Sequence, residues 1–430
     1  MYLLPNIIFT FLLIVSLGVF FWNLSKLRRN INLGKGLSEP IHDKPQRWKN
    51  MIRIALGQSK MVRRPIAGVL HIIVYIGFIV INIELIEIII DGVTGTHRVF
   101  SSFGVIYGIL IGTFEVFAIL VLISVTIFWI RRNIIRIKRF YENKMTGWPK
   151  MDADLILYFE IILMSLFLLM NATDLDFQNM NNGNVISGMI YNLFTDFSVD
   201  KLHLMERTFW WLHIIGIFIF LNYLYYSKHL HIILAFPNTF YGSLTNKGKL
   251  NNMSHVTNEV NIMLGKTNES PEISDDLKFG VSDVTDLSWL QLLNAYSCTE
   301  CGRCTSSCPA NMTGKKLSPR KIMMDTRDRL EEVGRNIDLN KGDYKSDGKE
   351  LLNDYISKEE LWACTSCNAC VEACPIGIDP LSIIMDMRRY LVMEKSDAPS
   401  ELNNMMSNIE NNGAPWPFNQ MDKLNWKNEL

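Results

Sequence analysis

The sequence predicts an all-α protein in which a five-helix transmembrane bundle is followed by a cytoplasmic α-helical domain. Three observations predict this architecture. The first 235 of 430 residues contain five apolar stretches, each long enough to cross a bilayer, which takes roughly 20 residues. Helix-capping signals recur after residue 286 without an alternating strand pattern. All eight cysteines lie between residues 298 and 374, which concentrates the metal-binding chemistry in one short segment.

The loops between the apolar stretches differ in charge, and this difference predicts the orientation. Loop 26–65 has eleven Lys/Arg against two acidic residues, and loop 131–152 has seven against two, whereas segment 172–207 has two against five. Basic loops stay in the cytoplasm, so we expect a multi-pass protein of the bacterial inner membrane with its N-terminus outside. The predicted spans are about 5–25, 66–90, 103–130, 153–171 and 208–232.

Four regions follow from this pattern. Residues 1–235 form the membrane segment, 236–285 a polar cytoplasmic linker, 286–395 the cluster segment, and 396–430 a polar tail. The first 25 residues carry no charge and therefore lack the positive region of a signal peptide, which predicts a retained first span. Helix caps are expected at four places in the cluster segment: Thr285 or Asp286, Ser318, Ser357 and Asp379.

Two copies of one cysteine motif carry the clearest chemistry. Each reads Cys-x2-Cys-x2-Cys-x3-Cys-Pro, and the fourth cysteine of such a run ligates the other cluster. The motifs therefore predict two [4Fe–4S] clusters. One would be held by Cys298, Cys301, Cys304 and Cys374, and the other by Cys364, Cys367, Cys370 and Cys308.

The alternative is a pair of zinc sites, since paired Cys-x2-Cys motifs also bind zinc. Zinc sites commonly lack the third cysteine and the Cys-Pro step, so iron–sulfur binding is favoured. With these motifs 55 residues apart, the cluster segment resembles the helical two-cluster ferredoxin module of heterodisulfide reductase, where it forms the C-type iron–sulfur component. It is also similar to the iron–sulfur subunits of the succinate dehydrogenase type.

Intramembrane histidines are candidate heme ligands, because an unpaired polar ring in hydrocarbon is costly. His71 lies near the cytoplasmic end of the second span, and His231 closes the fifth span on the same side. This pair predicts an inner heme b with bis-histidine ligation. His213 lies eighteen residues before His231, which on a continuous helix is five turns and roughly 27 Å.

These spacings resemble the five-helix gamma subunit of respiratory nitrate reductase and its relatives in sulfite-reduction complexes. In that family the fifth helix carries two histidines eighteen apart, matching His213 and His231. The second helix carries two histidines ten apart; His71 matches the first, but the second position is Ile81 here. The resemblance implies an outer heme at His213, with His97, His203 or no residue as the partner ligand.

Acidic residues within the spans are candidates for quinone-linked proton transfer. Glu84 and Glu87, towards the outer end of the second span, are the better placed of these. They can equally be satisfied by polar partners within the bundle.

Together these features predict a membrane electron-transfer subunit. It would pass electrons between quinone, heme b, the two clusters and a cytoplasmic catalytic partner similar to the B-type component of heterodisulfide reductase or to a flavin dehydrogenase. All eight cysteines are used as ligands, and the chain has no GxGxxG fingerprint or P-loop, so we expect no substrate-activating site of its own. The equal numbers of basic and acidic residues, 43 each, argue against nucleic-acid binding.

Two other functions are compatible with the motifs. One is an iron–sulfur accessory or metal-reducing factor of the cytochrome oxidase accessory type. Such factors carry copper-binding cysteines in their membrane segments, and none of the predicted spans contains a cysteine. The other is a redox-sensing membrane protein whose clusters signal and carry no current.

Overall fold

The computed structural model describes residues 3–37, 40–246, 248–266, 278–417 and 419–428. Among these residues, the membrane segment contains five long helices and four short ones. They are α1 (Leu4–Ile31), α2 (Lys44–Met51), α3 (Pro65–Thr94), α4 (Val105–Asn133), α5 (Trp148–Thr173), α6 (Leu175–Met180), α7 (Ser187–Tyr191), α8 (Val199–Tyr223) and α9 (His231–Tyr241).

The remaining helices have between 4 and 21 residues, and the described part of the chain contains no β-strand. They are α10 (Ser254–Met263), α11 (Trp289–Tyr296), α12 (Arg303–Ser306), α13 (Pro309–Met312), α14 (Pro319–Leu339), α15 (Leu351–Asp354), α16 (Lys358–Trp362), α17 (Ala369–Ala373), α18 (Pro380–Met393) and α19 (Ser400–Asn412).

In the described part of the chain, five helices are long and apolar enough to cross a membrane: α1, α3, α4, α5, and α8 with the 3-10 turn that extends it to Tyr226. Each overlaps one of the five predicted stretches. The fifth differs most, because it begins at Val199 and ends before His231. His213 and His231 therefore lie on two separate helices, so the expected five-turn spacing along one helix does not describe them.

The break after α8 has a local cause. Ser227 has an extended backbone, and a second 3-10 turn, Lys228–Leu230, then leads into α9. The buried Asp152 of α5 accepts hydrogen bonds from the Tyr223 hydroxyl (2.5 Å) and the Lys228 amide (3.1 Å). Because Asp152 binds on both sides of the extended residue, it stabilises the interruption and sets the direction in which α9 leaves.

Most of the expected helix caps are confirmed. Ser318, Ser357 and Asp379 each accept a hydrogen bond from a backbone amide in the first turn of α14, α16 and α18, respectively. The cap before α11 is instead Ser288, which forms a capping box with Gln291. The expected cap at Thr285 or Asp286 is therefore wrong; residues Val284–Asp286 form a 3-10 turn of their own.

The linker and tail contain more helix than expected. The predicted linker holds the second half of α9 and all of α10, although residues 247 and 267–277 lie outside the described residues. The tail holds α19 and a 3-10 stretch over Gln420–Asn428; within it, residues 418, 429 and 430 lie outside the described residues.

The cluster segment packs against one end of the bundle, here called the near end; the opposite end is the far end. At the near end of α1, the Asn30 amide donates to the Tyr296 hydroxyl (3.0 Å). The fully buried Arg320 of α14 donates to the Arg139 carbonyl (2.7 Å) and to Glu142 (2.7 Å), both in the loop between α4 and α5. These contacts fix the cysteine loops against the membrane segment.

A glycine allows one of these contacts. The Lys35 amide donates to the Leu287 carbonyl (2.7 Å), and the Trp289 amide donates to the Lys35 carbonyl (3.0 Å). A Cβ atom on the preceding residue, Gly34, would lie 2.5 Å from the Trp289 nitrogen, whereas a Cβ on Gly36 would meet no described atom within 4 Å. Gly34 therefore lets the end of α1 approach the start of α11.

We predict that Gly34→Ala weakens this docking by about 1–3 kcal/mol, the usual cost of forcing extra volume into a packed contact. The expected result is a lower thermal midpoint in detergent and faster proteolysis between α9 and α10. Gly36→Ala is the matched control and should stay within about 0.5 kcal/mol of the parent protein. Equal effects of the two substitutions would contradict the packing argument.

Candidate functional site

The fold sorts the eight cysteines into two groups. The Cys374 thiol interacts electrostatically with those of Cys298, Cys301 and Cys304. These four residues are the first cysteine group. Cys308 lies near Cys364 and Cys370, and Cys364 also interacts with Cys367; these four are the second cysteine group. The fourth cysteine of each motif thus lies near cysteines of the other motif, and the two groups adjoin, since Cys304 is also within electrostatic reach of Cys370.

The two cysteine loops share a backbone conformation. The residues directly before and after the second cysteine of each motif have positive φ: Glu300 (55°) and Gly302 (70°) in the first loop, Ser366 (56°) and Asn368 (59°) in the second. The Ser366 amide donates to the Cys364 sulfur (3.4 Å), and the Glu300 amide donates to the Cys298 sulfur in the same way. Each loop thus wraps its backbone amides around its sulfurs.

Burial makes these thiols unfavourable places for a bare negative charge. It raises the pKa of Cys298 and of Cys370 to about 12 and that of Cys374 to about 11. Metal coordination requires the thiolate form, so a bound cation would supply the compensation that water cannot reach. The donor set of four sulfurs per group fits a [4Fe–4S] cluster.

The groups differ in their surroundings. In the first loop, the Arg303 guanidinium donates to the carbonyls of Lys60 (3.3 Å) and Met61 (3.4 Å), just before α3. In the second group Cys367 is exposed. The first group therefore faces the membrane segment, and the second reaches the protein surface.

Two histidines meet at the near end of the bundle. The ring centroids of His71 (α3) and His231 (start of α9) are 6.4 Å apart, with an interplanar angle of 45°. The Nδ1 atom of His231 lies 3.2 Å from the Lys228 carbonyl, so as an N–H donor it leaves Nε2 free to bind a metal. The Nδ1 atom of His71 is buried, and no described residue forms a hydrogen bond with it.

This spacing fits two ligands of one metal. Metal–imidazole bonds are about 2.0–2.1 Å in zinc sites, and the ring centre is roughly 1.1 Å from each ring atom, given bond lengths near 1.33 Å. Two imidazoles on opposite sides of one metal would then have centroids roughly 6.3 Å apart. Aromatic rings in ordinary contact also have centroids about 4.5–7 Å apart, as Phe9 and Trp211 do at 6.4 Å, so the spacing permits a shared metal and does not by itself show one. The residues present fit a bis-histidine heme.

A third histidine belongs to the same cluster, and sequence reasoning did not include it. The His229 ring centroid lies 5.5 Å from that of His231 and 5.5 Å from that of Phe220. On a continuous helix His229 would have pointed away from His231, but the break after α8 changes its direction. Only the three-dimensional arrangement could reveal this neighbour.

The expected outer ligands have different partners. His213 is buried and packs against Phe167, with ring centroids 6.1 Å apart, while it hydrogen-bonds to the backbone of Leu163. His97 is partly exposed and pairs with Asp174, Nε2 to Oδ2 3.2 Å. The described surroundings of His213 do not fit a bis-histidine heme with His97.

Glu84 and Glu87 border a cavity of about 400 Å³ at the far end. Glu87 accepts hydrogen bonds from the Phe100 amide (2.9 Å) and the Tyr107 hydroxyl (3.2 Å). Glu84 is 3% exposed, and its Oε2 atom has no hydrogen-bond partner among the described residues. Of the two acids, Glu84 is thus the one with unused hydrogen-bonding capacity beside the cavity.

The same cavity is lined by polar residues that sequence reasoning missed. The buried Arg98 binds Asp174 (Nε to Oδ2 2.7 Å) and also donates to Tyr107 (3.1 Å) and Asn171 (2.8 Å). Arg98 is the one Lys or Arg of segment 91–102, and this isolated charge was the signal in the sequence that could have identified it. Its partners come from other helices, so their proximity required the fold.

Comparison with known proteins agrees with the cysteine chemistry. Residues 297–378 match the family model described as a 4Fe-4S dicluster domain. This match supports iron–sulfur clusters in the cluster segment. No solved structure matches the chain.

Longer relatives extend the likeness to the membrane segment. A probable iron-sulfur-binding oxidoreductase, FadF, of Bacillus subtilis is 29% identical over 89% of this chain and 54% of its own length. The EtfAB:quinone oxidoreductase of Syntrophomonas wolfei is 26% identical over 97% of this chain and 59% of its own length. This chain therefore spans a little over half the length of these two relatives.

The expected resemblance to heterodisulfide reductase is also found. One subunit of the ferredoxin/F(420)H(2)-dependent CoB-CoM heterodisulfide reductase of Methanosarcina acetivorans, its C-type component, is 36% identical over 24% of this chain and 49% of its own length. The chain is thus similar to iron–sulfur oxidoreductases and to redox-complex subunits.

The crossed grouping of the cysteines gives a direct prediction. Cys374→Ser should remove the cluster of the first cysteine group, although Cys374 belongs to the second motif. Its electron paramagnetic resonance (EPR) spectrum should match that of Cys298→Ser and differ from that of Cys364→Ser. Iron should fall from about eight to about four atoms per chain, as expected for loss of one of two four-iron clusters. A Cys374→Ser spectrum like that of Cys364→Ser would contradict the crossed ligation.

Proposed function

We propose that this chain is a membrane electron-transfer subunit that links quinone to a cytoplasmic redox partner through heme b and two [4Fe–4S] clusters. The observation that carries the proposal is the His71–His231 pair, whose ring spacing of 6.4 Å fits one bound metal. This pair lies at the near end of the bundle, where the first cysteine group packs. The arrangement supports a linear path from the membrane, through the first group, to the second.

In this proposal the residues have separate tasks. His71 and His231 hold the heme, which supplies one-electron chemistry when bound. The first cysteine group holds the cluster nearer the membrane, and the second holds the cluster nearer the surface. The exposed Cys367 supports contact between the second cluster and a partner protein.

The direction of insertion is part of the proposal. Its support is the charge of the near-end loops, which carry the basic residues of 26–65 and 131–152, together with the positive-inside rule. The near end and the cluster segment would then lie in the cytoplasm, and the far-end cavity would open towards the outer side of the inner membrane. The names of the relatives, a quinone oxidoreductase and heterodisulfide reductase subunits, support quinone as a substrate and a catalytic redox partner.

The accessory-factor alternative is less well supported. No cysteine lies within any of the five long helices, so these helices offer no thiol for copper. The histidine pair also has a ready role as a heme site and none specific to metal insertion.

The heme assignment is tested by replacing its ligands. His71→Ala and His231→Ala should each abolish the heme b band in a reduced-minus-oxidised spectrum, because one imidazole cannot hold the iron from both sides. His213→Ala is the matched control, since His213 is also a buried histidine of the bundle, and its heme content should equal that of the parent. Heme retained after both ligand substitutions would contradict the proposal.

We further propose that the far-end cavity binds the quinone head group, with Glu84 and Glu87 accepting or donating its protons. The cavity supports this role because it combines acidic groups with the apolar rings of Trp210 and Trp211. Glu84 lies 13 residues from His71 along α3, which is roughly 20 Å. Electrons would therefore have to cross much of the bundle between this cavity and the inner histidines.

Glu84→Gln keeps the volume of the side chain and removes the proton-accepting carboxylate. We expect at least a tenfold loss of the rate at which added quinol reduces the heme, the usual scale for loss of a general base being about 10²–10⁴. Heme and iron contents should stay unchanged. Glu160→Gln, an acid of α5 that does not border the cavity, is the control. Unchanged quinol reduction in Glu84→Gln would place the quinone elsewhere.

A further inference from the structure

A chain of direct contacts joins the inner histidine pair to the first cysteine loop. His231 Nδ1 contacts the Lys228 carbonyl (3.2 Å). The Lys228 ammonium binds Glu300, Nζ to Oε2 2.5 Å. Glu300 lies between Cys298 and Cys301 in the first motif. Only one side-chain ion pair therefore separates a proposed heme ligand from the loop that surrounds a proposed cluster.

The ion pair is buried. The side chains of Lys228 and Glu300 are 9% and 2% exposed. Glu300 also binds Arg327, Oε1 to Nη2 2.7 Å, and Lys228 lies near Asp152 (3.7 Å) and donates to the Pro149 carbonyl (2.7 Å). Water screens such charges weakly, so each of them acts on its neighbours more strongly than a surface charge would.

The backbone at this position is unusual. Glu300 has a φ of 55°, a conformation that costs a non-glycine residue some stability and is found where the surroundings hold it in place. The two cations on its carboxylate are such surroundings. Ser366, the matching residue of the second loop, has no carboxylate, so this ion pair exists only at the loop that faces the membrane segment.

We propose that the buried Lys228–Glu300 ion pair couples the inner histidine pair to the first cysteine group, and that it sets the redox potentials of both centres together. The inference rests on the proposed function, because it assigns a role between the two cofactors. Lys228 and Glu300 are positioning residues in this role. They fix the loop and the ligand in place, and their charges act on both metal centres.

The signs of the effects follow from the charges. In the parent site two cations, Lys228 and Arg327, bind the Glu300 carboxylate. Glu300→Gln removes one negative charge from this buried group, leaving Asp152 beside Lys228 and Asp328 beside Arg327, and the more positive surrounding stabilises the reduced form of a nearby metal centre. Lys228→Met removes one cation and has the opposite effect. Local charge and hydrogen bonding are established determinants of such potentials.

The test is a redox titration of the purified full-length chain in detergent, following heme absorbance and cluster EPR signals. Glu300→Gln should raise the midpoint potentials of the heme and of the first cluster, and Lys228→Met should lower both. The double variant should fall between the two single variants, and Lys228→Arg, which keeps the charge, should stay close to the parent. The second cluster should shift less than the first.

Asp338→Asn is the matched control. Asp338 also joins the cluster segment to the membrane segment, through Lys26 (3.1 Å) and Arg29 of α1. The substitution therefore neutralises a carboxylate at a different contact between the same two segments. The midpoint potentials of the heme and of both clusters in this variant should equal those of the parent. This control separates the loss of any ion pair between segments from the loss of this particular one.

The possible failures are distinguishable. A parent chain without a heme band overturns the proposed function and the coupling with it. A parent chain with heme whose midpoint is unchanged in both single variants overturns the coupling alone. Shifts of the same sign in Glu300→Gln and Lys228→Met would indicate general loosening of the contact and would also overturn it.

Discussion

The arrangement of the near end depends on the buried carboxylate of Glu300. This side chain lies in the cysteine loop nearest the membrane segment, yet its partners come from two other places: Lys228 after α8 and Arg327 of α14. Burial alone would raise the pKa of Glu300, but Arg327 and Lys228 together hold it below its ordinary value. The carboxylate is therefore charged, and the loop, the helix end and α14 must stay together to keep it compensated.

Membrane-spanning helices and helix caps could be predicted from the sequence, because both depend on local signals. Hydropathy over about 20 residues is decided by the stretch itself, and a capping serine needs only the next turn, as at Ser357. The break after α8 could not be predicted in this way. It depends on Asp152, which lies 71 positions before Tyr223 in the chain, so nothing in the local sequence between Tyr223 and His231 reveals it.

The same difference between local signals and contacts of distant residues explains which parts of the site could be predicted from the sequence. The cysteine grouping follows from a motif whose ligand pattern is a chemical regularity, and the near-end histidines were predicted because each lies at the end of an apolar stretch. The histidine partners at the far end were not, since a ring in a helix can turn towards any neighbour. His213 turns towards α5, and His97 turns towards an aspartate that already binds Arg98. The spacing of histidines along one helix does not show which of these neighbours each ring contacts.

Arg303 connects these observations through electrostatics. Its side chain is buried, and its described hydrogen bonds go to the backbone before α3 and to the Met61 sulfur, with no carboxylate among them. A buried cation without an anionic partner is costly, and burial accordingly lowers the pKa of Arg303. The acidic groups within its electrostatic reach are the thiols of Cys301 and Cys374, which become negatively charged as metal ligands.

A cluster bound by four thiolates is anionic, so it would supply the compensation that Arg303 otherwise lacks. Arg303 also lies within electrostatic reach of His71. In addition, Arg303 donates to Met61, and the Met61 carbonyl oxygen lies 2.8 Å from the position that a Cβ atom would occupy on Gly68, one turn before His71. A single buried cation is thus shared by the two proposed metal centres. The negative charge of Glu300 is compensated by Lys228 and Arg327, and the positive charge of Arg303 would be compensated by the cluster. Each compensation requires contact between the cluster segment and the membrane segment. The contact between the segments is therefore a requirement of the site's charges as well as of its packing.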